Sequence, residues 1–172
     1  MKIDPIKYEN KKLLVLDQLV LPHEIKWIDV NSCEDAYSVI KNMNVRGAPL
    51  IGFTGVYGLM FACREVDSYE QLRKKADFLI SARPTAVNLS FEIEKCLEGL
   101  FKNKIEYNRN IAEDFCLSFV EYKIKQLEYD NRKTANFLKN ELIKIYPGKK
   151  KYNILTICNT GRLACGTIGT AL

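Results

Sequence analysis

The sequence is poor in the residues that most metal sites and hydrolase triads require. It contains one histidine, His23, which follows Leu21-Pro22 in a predicted turn, and it has no Cys-x-x-Cys pair. Structural zinc sites draw their ligands from closely spaced cysteines and histidines, so a zinc site is disfavoured. A Ser-His-Asp hydrolase is disfavoured by the same shortage of histidine. We therefore expect neither a bound metal nor a cofactor.

Long apolar runs are also missing. The longest stretch without a charged residue covers residues 47–63, between Arg46 and Arg64, and holds four glycines within 17 residues. A membrane-spanning helix usually needs ~20 mainly apolar residues. The stretch therefore predicts a buried helix with close backbone packing, and we expect no membrane partner.

An excess of basic charge is present but small. The net charge is +5 over 172 residues, and Lys149-Lys150-Lys151 contributes to it. No arginine-rich stripe, zinc-finger spacing or aromatic platform accompanies this charge, so no nucleic-acid partner is expected. Mild basicity instead suits a small anionic substrate.

The six cysteines do not form a disulfide pattern. They are widely spaced along a chain whose first ten residues are charged and polar, unlike a secretory signal peptide. Thiols in the cytosol stay reduced. We therefore expect a cytoplasmic protein with free cysteines, at positions Cys33, Cys63, Cys96, Cys116, Cys158 and Cys165.

The first part of the chain predicts a small β platform followed by a helix. Residues 11–17 and 24–30 have the composition of strands, and Leu21-Pro22-His23 separates them. Asn31 or Ser32 can then cap a helix, because a short polar side chain accepts a hydrogen bond from a free backbone N–H in the first turn.

Two arginines precede prolines at predicted helix starts. Arg46-Gly47-Ala48-Pro49 begins the glycine-rich helix, and Ala82-Arg83-Pro84-Thr85 begins an apolar helix that we expect to run to about Gly99. Proline loses no hydrogen bond in a first turn, and a guanidinium beside free N–H groups at a helix N-terminus binds anions. The two motifs predict an anion site, although each also fits an ordinary surface turn.

The middle of the chain predicts further helices and then a linker. Residues 108–145 have a helical pattern with a break near Tyr129-Asp130-Asn131, which predicts two helices. Residues 147–152 contain a proline, a glycine and three lysines, and this composition is typical of a linker. We therefore place an N-terminal β plus helical domain at residues 1–146.

An apolar, β-branched run at residues 153–158 follows the linker and ends in Asn159-Thr160-Gly161. It predicts a buried parallel strand, and open α/β sheets place their chemistry beyond the carboxyl end of such a strand. Cys158 lies there, before a predicted helix from Arg162 whose N-terminus favours a thiolate or a phosphate. A buried core cysteine is the alternative. Residues 153–172 thus predict the first β–α unit of a second domain, and we expect the sequence to break off within it.

Three segments together resemble the methylthioribose-1-phosphate isomerase family, which also includes the regulatory subunits of the translation-initiation nucleotide-exchange factor. They are Val45-Arg46-Gly47-Ala48-Pro49-Leu50-Ile51-Gly52, Ser81-Ala82-Arg83-Pro84-Thr85-Ala86-Val87-Asn88-Leu89, and Leu155-Thr156-Ile157-Cys158-Asn159-Thr160-Gly161 with Leu163-Ala164. Their order and spacing match as well. The likeness covers essentially the whole chain, while the family's proteins are roughly twice as long, as two domains would be.

The resemblance implies a mixed α/β fold, with a small β platform and a helical bundle joined to a Rossmann-like domain that is truncated here. It implies the conversion of 5-methylthioribose 1-phosphate to 5-methylthioribulose 1-phosphate in methionine salvage, and a homodimer for a full-length chain. It also implies that the phosphorylated sugar is bound by Arg46, Gly47, Ala48 and Arg83, and that Cys158 is the catalytic cysteine.

Departures from the family pattern qualify this expectation. Ile157 stands where the family commonly has histidine, and Arg162 where a small residue is common. The resemblance also implies a catalytic aspartate in the C-terminal domain, so we expect the 172 residues alone to lack a complete active site. Isomerases of 5-deoxyribose 1-phosphate or ribose 1,5-bisphosphate remain alternatives. So do a non-catalytic interaction subunit, like those of the translation factor, and an inactive truncated product.

Overall fold

A computed structural model describes residues 3–102, 106–158 and 160–169 of the chain. These residues form three strands and six helices. In chain order, they are β1 (Ile6–Glu9), β2 (Lys12–Leu16), β3 (Trp27–Val30), α1 (Cys33–Lys41), α2 (Ala48–Glu65), α3 (Tyr69–Ile80), α4 (Val87–Phe101), α5 (Arg109–Ile145) and α6 (Arg162–Cys165).

The strands form one antiparallel sheet in the order β1-β2-β3, which confirms the predicted β platform. Leu13 on the central strand pairs with Tyr8 on one side and with Val30 on the other, and its side chain is buried in the core. The sequence did not predict β1. It is a four-residue edge strand whose Lys7 and Glu9 are typical of exposed strand edges, and so it has little apolar signal.

Helix α1 begins at Cys33, and its N-cap is Ser32, one of the two residues predicted for that role. The backbone N–H of Asp35 donates to the Ser32 Oγ at 3.0 Å. Helix α2 follows and forms the centre of the bundle, with all of residues 50–63 buried. A β-carbon placed on Gly55 would lie 2.4 Å from Cδ1 of Leu89, so this glycine lets α4 pack against the α2 backbone. The prediction of a buried, closely packed helix is confirmed. Neither α2 nor any other helix in the described ranges is long and apolar enough to span a bilayer.

Helices α1, α3, α4 and α5 surround α2 and share one hydrophobic core with the inner face of the sheet. Helix α4 begins at Val87, with Ala86 as its N-cap residue. Arg83 and Pro84 therefore lie in the turn before the helix, and the prediction that they open its first turn is wrong. The end of α4 at Phe101 is two residues beyond the predicted end.

The predicted break near residue 130 is also wrong, because α5 is one continuous helix of 37 residues. Residues 109–145 contain neither glycine nor proline, so nothing in the backbone forces a break. Asn131 suggested a turn, but its side-chain amide donates to the carbonyl of Ile168 at 2.7 Å. That long-range contact occupies the amide that would otherwise compete with the helix backbone.

The predicted buried strand at residues 153–158 is not formed. The side chains of Leu155 and Ile157 are 98% and 91% exposed, and these residues belong to neither a helix nor a strand. A strand needs hydrogen-bonded neighbours, and among the described residues the sheet β1-β2-β3 does not extend to this run. The predicted helix from Arg162 is a single turn that ends at Cys165, with Gly166 as its C-cap residue. Asn159 and residues 170–172 lie outside the described residues, and the division at 147–152 stays a prediction.

Candidate functional site

A pocket of about 580 Å³ lies where the turn after β2, the loop before α2 and the segment containing α6 meet. Arg46 and Cys158, the guanidinium and the thiol singled out from the sequence, both line it. The lining as a whole mixes polar side chains with a few small or apolar ones and consists of Gln18, Leu21, Arg46, Cys158, Thr160, Gly161, Arg162, Leu163 and Ala164. The fold thus brings two distant sequence motifs to one cavity.

The loop before α2 presents Arg46 beside a helix N-terminus. Val45 is buried and its N–H donates to the carbonyl of Val39 at 3.3 Å, which fixes the loop just before the arginine. Gly47 is the N-cap residue with φ +97°, a conformation that favours glycine. Its carbonyl accepts from the N–H of Ile51 at 3.0 Å, whereas the first N–H groups of a helix have no intrahelical acceptor. Arg46 and Ala48 are exposed, so this end of α2 is open to an anion.

Cys158 is exposed, whereas the other five cysteines are buried. Among the described residues Cys158 is therefore not part of the hydrophobic core. Its backbone has φ +70°, a left-handed conformation that is uncommon for a residue with a side chain. The predicted stabilisation of a Cys158 thiolate by a helix dipole is not supported, because α6 consists of one turn from Arg162 to Cys165. The pocket itself, and not a long helix, defines the surroundings of this thiol.

Side-chain contacts hold the segment after Cys158 against the rest of the fold. The side-chain amide of Gln18 donates to the carbonyl of Leu163 at 2.8 Å, and Arg162 forms an ion pair with Asp4. The Thr167 hydroxyl donates to Glu128 Oε2 at 2.9 Å. Together with Arg132, the Thr167 contact keeps the pKa of Glu128 below its usual value, with Arg132 as the larger cause. Residues 160–169 are therefore tied to the segment before β1, to the turn after β2 and to α5.

The remaining sequence candidates are placed differently. Gly47 packs against Ala164, which lines the pocket. Arg83 is half-buried in the turn before α4 and is not part of the lining formed by the described residues. Its predicted role in binding the sugar stays a prediction. Ile157 is almost wholly exposed, so it does not make the surroundings of Cys158 drier.

Sequence reasoning missed Gln18, which lines the pocket and bonds to the α6 segment. A signal was available, because Asp17 and Gln18 are polar residues that directly follow an apolar strand and precede a Leu-Pro turn. Residues in such turns can be held precisely by the sheet behind them. What the sequence does not reveal is the partner of Gln18, which lies 145 residues away.

The buried cysteines show a different chemistry from that of Cys158. The sulfur of Cys116 lies 3.8 Å from that of Cys63 and 3.6 Å from that of Cys96. The hydrogen bond with Cys116 and burial raise the pKa of Cys63. Burial therefore favours the neutral form of the Cys63 thiol in the core. Across the part of the chain that the structure describes, no three acidic, histidine or cysteine side chains are placed to hold a metal ion.

Comparison with known proteins decides the family. The profile of the Initiation factor 2 subunit family matches residues 44–172, which include both pocket motifs. The chain belongs to this family. The resemblance inferred from the three motifs is thereby confirmed.

Relatives in this family carry the names of isomerases. The chain is 39% identical to a methylthioribose-1-phosphate isomerase of Caenorhabditis briggsae, over 99% of this chain and 47% of that protein. It is 34% identical to a 5-deoxyribose 1-phosphate isomerase of Clostridium botulinum (strain Loch Maree / Type A3), over 96% of this chain and 48% of that protein. The chain thus spans about half the length of the curated relatives it matches.

Solved structures of the family share the fold. The 5-methylthioribose 1-phosphate isomerase of Pyrococcus horikoshii OT3 aligns with a TM-score of 0.77 at 26% identity, over 98% of this chain and 47% of that one. The translation initiation factor eIF-2B, subunit delta, of A. fulgidus aligns with a TM-score of 0.74 at 31% identity, over 98% of this chain and 48% of that one. The mixed α/β architecture of a small sheet and a helical bundle therefore matches this family's fold.

Proposed function

We propose that this protein is an aldose–ketose isomerase that converts 5-methylthioribose 1-phosphate to 5-methylthioribulose 1-phosphate, a step of methionine salvage. The observation that carries the proposal is that Arg46 and Cys158 line one pocket. An exposed guanidinium and an exposed thiol in one polar cavity suit a phosphorylated sugar. Relatives named isomerases match over nearly the whole chain and support the same reaction class.

Arg46 is the proposed ligand of the 1-phosphate. A guanidinium can form two parallel hydrogen bonds to phosphate oxygens, and in our proposal N–H groups at the start of α2 donate to the same phosphate. Gly47 and Ala48 belong to this binding site through their backbone, which explains why small residues suit these positions. A second arginine, Arg162, also lines the pocket and forms an ion pair with Asp4.

Cys158 is the proposed proton-transfer group. The phosphate stays on carbon 1, so the sugar cannot first open to a free aldehyde. The hydrogen on carbon 2 moves to carbon 1, the bond between carbon 1 and the ring oxygen breaks, and the hydroxyl on carbon 2 becomes a carbonyl. Its proton is passed to the ring oxygen, and the atoms of substrate and product balance without an oxidant. A thiol beside the ring can donate or accept a proton in these steps.

A second acid–base group is required by this chemistry, and no carboxylate lines the pocket among the described residues. In our proposal an aspartate fills this role, and it belongs to the half of the relatives' length that this chain does not span. Turnover and binding are therefore measured separately. Binding of the phosphosugar at Arg46 needs no acid–base partner, whereas turnover does.

The test measures turnover in a form of the protein that also carries the second acid–base group, with formation of the ketose followed by NMR, and it measures phosphosugar binding by calorimetry. The variant Cys158→Ala should lower turnover by at least ~100-fold, the lower end of typical acid–base contributions, with little change in binding. The variant Arg46→Ala should weaken binding. Arg73→Ala is the control, because Arg73 pairs with Glu94 on the helix surface outside the pocket. Near-normal turnover in Cys158→Ala, or unchanged binding in Arg46→Ala, would contradict the assignment.

The choice of sugar is tested in the same assay. Because one set of relatives is named for 5-deoxyribose 1-phosphate, the two sugars are compared by kcat/KM with the same protein sample. We expect the methylthio sugar to be preferred. A higher kcat/KM for the deoxy sugar would keep the reaction and change the substrate.

A non-catalytic interaction subunit is the second candidate. The likeness to the translation initiation factor subunit favours it, since that structure covers as much of the chain as the isomerase does. Such a subunit would need neither the exposed thiol nor the arginine beside it. Stable binding to a labelled guanine-nucleotide exchange complex, without phosphosugar binding, would favour this candidate over the isomerase.

A further inference from the structure

Gln18 contacts both segments that form the pocket. Its backbone N–H donates to the carbonyl of Asn44 at 2.8 Å, two residues before Arg46. Its side-chain amide donates to the carbonyl of Leu163 at 2.8 Å, in the segment that follows Cys158. A single residue thus joins the arginine loop to the cysteine segment, and it lines the pocket between them.

The backbone around Gln18 is held firmly by the sheet. Asp17 is 5% exposed, and its N–H donates to the carbonyl of Lys26 at 2.9 Å. Its Oδ1 accepts from the N–H of Leu19 at 3.1 Å and from the side-chain amide of Asn44 at 2.9 Å. Gln18 therefore extends from a fixed turn, and Asn44 is bound to that turn through both its carbonyl and its side chain.

The orientation of the Gln18 amide follows from its partner. A backbone carbonyl can only accept, so the NH₂ group of the amide must face Leu163. A carboxylate or a thioether at this position could not replace that bond. The contact therefore requires the chemistry of glutamine and not only its length.

We propose that Gln18 is a positioning residue that holds the Arg46 loop and the Cys158 segment at the spacing the substrate requires. Its effect on catalysis rests on the proposed function, whereas its effect on the spacing does not. Misplacement of a reacting group by about 1 Å can cost a factor of ~100 in rate. Loss of the Gln18 contact should thus lower kcat more than it raises KM.

The first experiment measures the spacing without turnover. Cys158 is the exposed cysteine among five buried ones, so iodoacetamide should alkylate it first. Inorganic phosphate, bound at Arg46, should slow this alkylation in the unmodified protein. In Gln18→Met the rate of alkylation should differ from that of the unmodified protein by roughly tenfold, because the loss of one hydrogen bond changes an equilibrium constant by about this factor. The protection that phosphate gives should also be reduced. Gln18→Glu should behave like Gln18→Met, because glutamate keeps the side-chain length of glutamine but lacks the NH₂ group that donates to Leu163.

Gln126→Met is the matched control. Its side-chain amide donates to Asp130 at 3.0 Å within α5 and lines a different cavity. This variant should keep the alkylation rate and the protection of the unmodified protein. Circular dichroism and thermal unfolding check that each variant is folded.

The second experiment separates kcat from KM in the isomerase assay. Gln18→Met should lower kcat by roughly 10- to 100-fold with KM within about threefold of its normal value, because Arg46 remains. If the unmodified protein neither turns over nor binds the phosphosugar, the proposed function fails, and the alkylation comparison alone decides the role of Gln18. Equal alkylation and protection in Gln18→Met and the unmodified protein would overturn the proposal. Unfolding of both Gln18 variants would also overturn it, in favour of a purely structural role.

Discussion

Gly47 and Ala164 are in direct contact. A β-carbon placed on Gly47 would lie 2.3 Å from Cβ and 2.7 Å from the carbonyl oxygen of Ala164. The N-terminal end of α2 thus reaches the backbone of α6 with no space between them. This contact brings the arginine motif against the cysteine segment.

We predict that Gly47→Ala destabilises the protein. The new methyl group must displace α6, and its residue must also adopt φ +97°. Overpacking and backbone strain each cost about 1–3 kcal/mol. Urea unfolding should therefore show a loss of about 2 kcal/mol or more, together with faster proteolysis within residues 160–169.

Gly148→Ala is the matched control for that prediction. Gly148 has φ +83°, but nothing lies within 4 Å of an added β-carbon. Its replacement should cost only the backbone strain of about 1 kcal/mol. If the two variants lose equal stability, the contact with Ala164 contributes nothing.

Lys123→Met should be strongly destabilising. Its Nζ lies 3.2 Å from Oε2 of Glu92, a nearly buried oxygen that has no aligned hydrogen-bond donor among the described residues. Removal of the ammonium leaves a carboxylate without a counter-charge in the core, at a cost of about 3 kcal/mol or more. The free energy of unfolding in urea measures the loss.

Two further variants distinguish charge from packing. Lys95→Met removes the partner of Glu98 from an exposed pair and should cost less than about 1 kcal/mol. Combining Lys123→Met with Glu92→Leu removes both charges of the pair and should recover most of the loss. No recovery in the double variant would mean that Lys123 acts through packing against Phe91 and Phe119.

Cysteine accessibility gives a direct check of the placement of Cys158. In the folded protein, Ellman's reagent should detect one rapidly reacting thiol, and the other five should react only after denaturation. The variant Cys158→Ser should remove the rapid phase. A rapid phase of two or more thiols would show that the core cysteines are less protected than the structure indicates.

Alkaline pH should destabilise the fold partly through Cys33. Burial, with a smaller contribution from Glu34, raises the pKa of this thiol from 9.0 to about 12. Below pH 9 the thiol is protonated in both states, so its contribution is fully present. Between pH 9 and 12 the unfolded chain loses this proton and the folded protein keeps it, so stability falls as the pH rises.

The variant Cys33→Ala isolates this effect. Between pH 9 and 11 its free energy of unfolding should fall less steeply with pH than that of the unmodified protein. The difference between the two slopes should correspond to about one proton. Burial also raises the pKa of Tyr57, so part of the fall in unfolding free energy with pH should remain in both proteins. Identical slopes in the two proteins would show that Cys33 is not protected from ionisation.

Local chemistry was sufficient to predict much of the helical part of the fold. The cap at Ser32, the proline at residue 49 and the glycine-rich helix after it depend on neighbours within one or two turns. The expected roles of Arg46 and Cys158 came instead from the resemblance to the family. These predictions needed no knowledge of distant contacts.

The errors have a common physical cause. Asn131 suggested a break in the helix, because its hydrogen bond to the distant Ile168 is not visible in the local sequence. Residues 153–158 have the composition of a buried strand, but the described residues supply no neighbouring strand to pair with them. Gln18 was missed because its partner, Leu163, is remote in sequence. Each feature depends on a tertiary contact that local pattern does not encode.

Helix α5 is packed along only part of its length. At 1.5 Å per residue its 37 residues extend about 55 Å, yet its buried residues, Ala112, Cys116, Val120 and Asn131, all precede residue 132. The remaining turns are stabilised by local pairs such as Glu141 with Lys144. Amide hydrogen exchange should therefore be slow in the first half of the helix and grow faster toward Ile145. One continuous helix is thus expected to open from its C-terminal end, while its first half stays closed until the whole core unfolds.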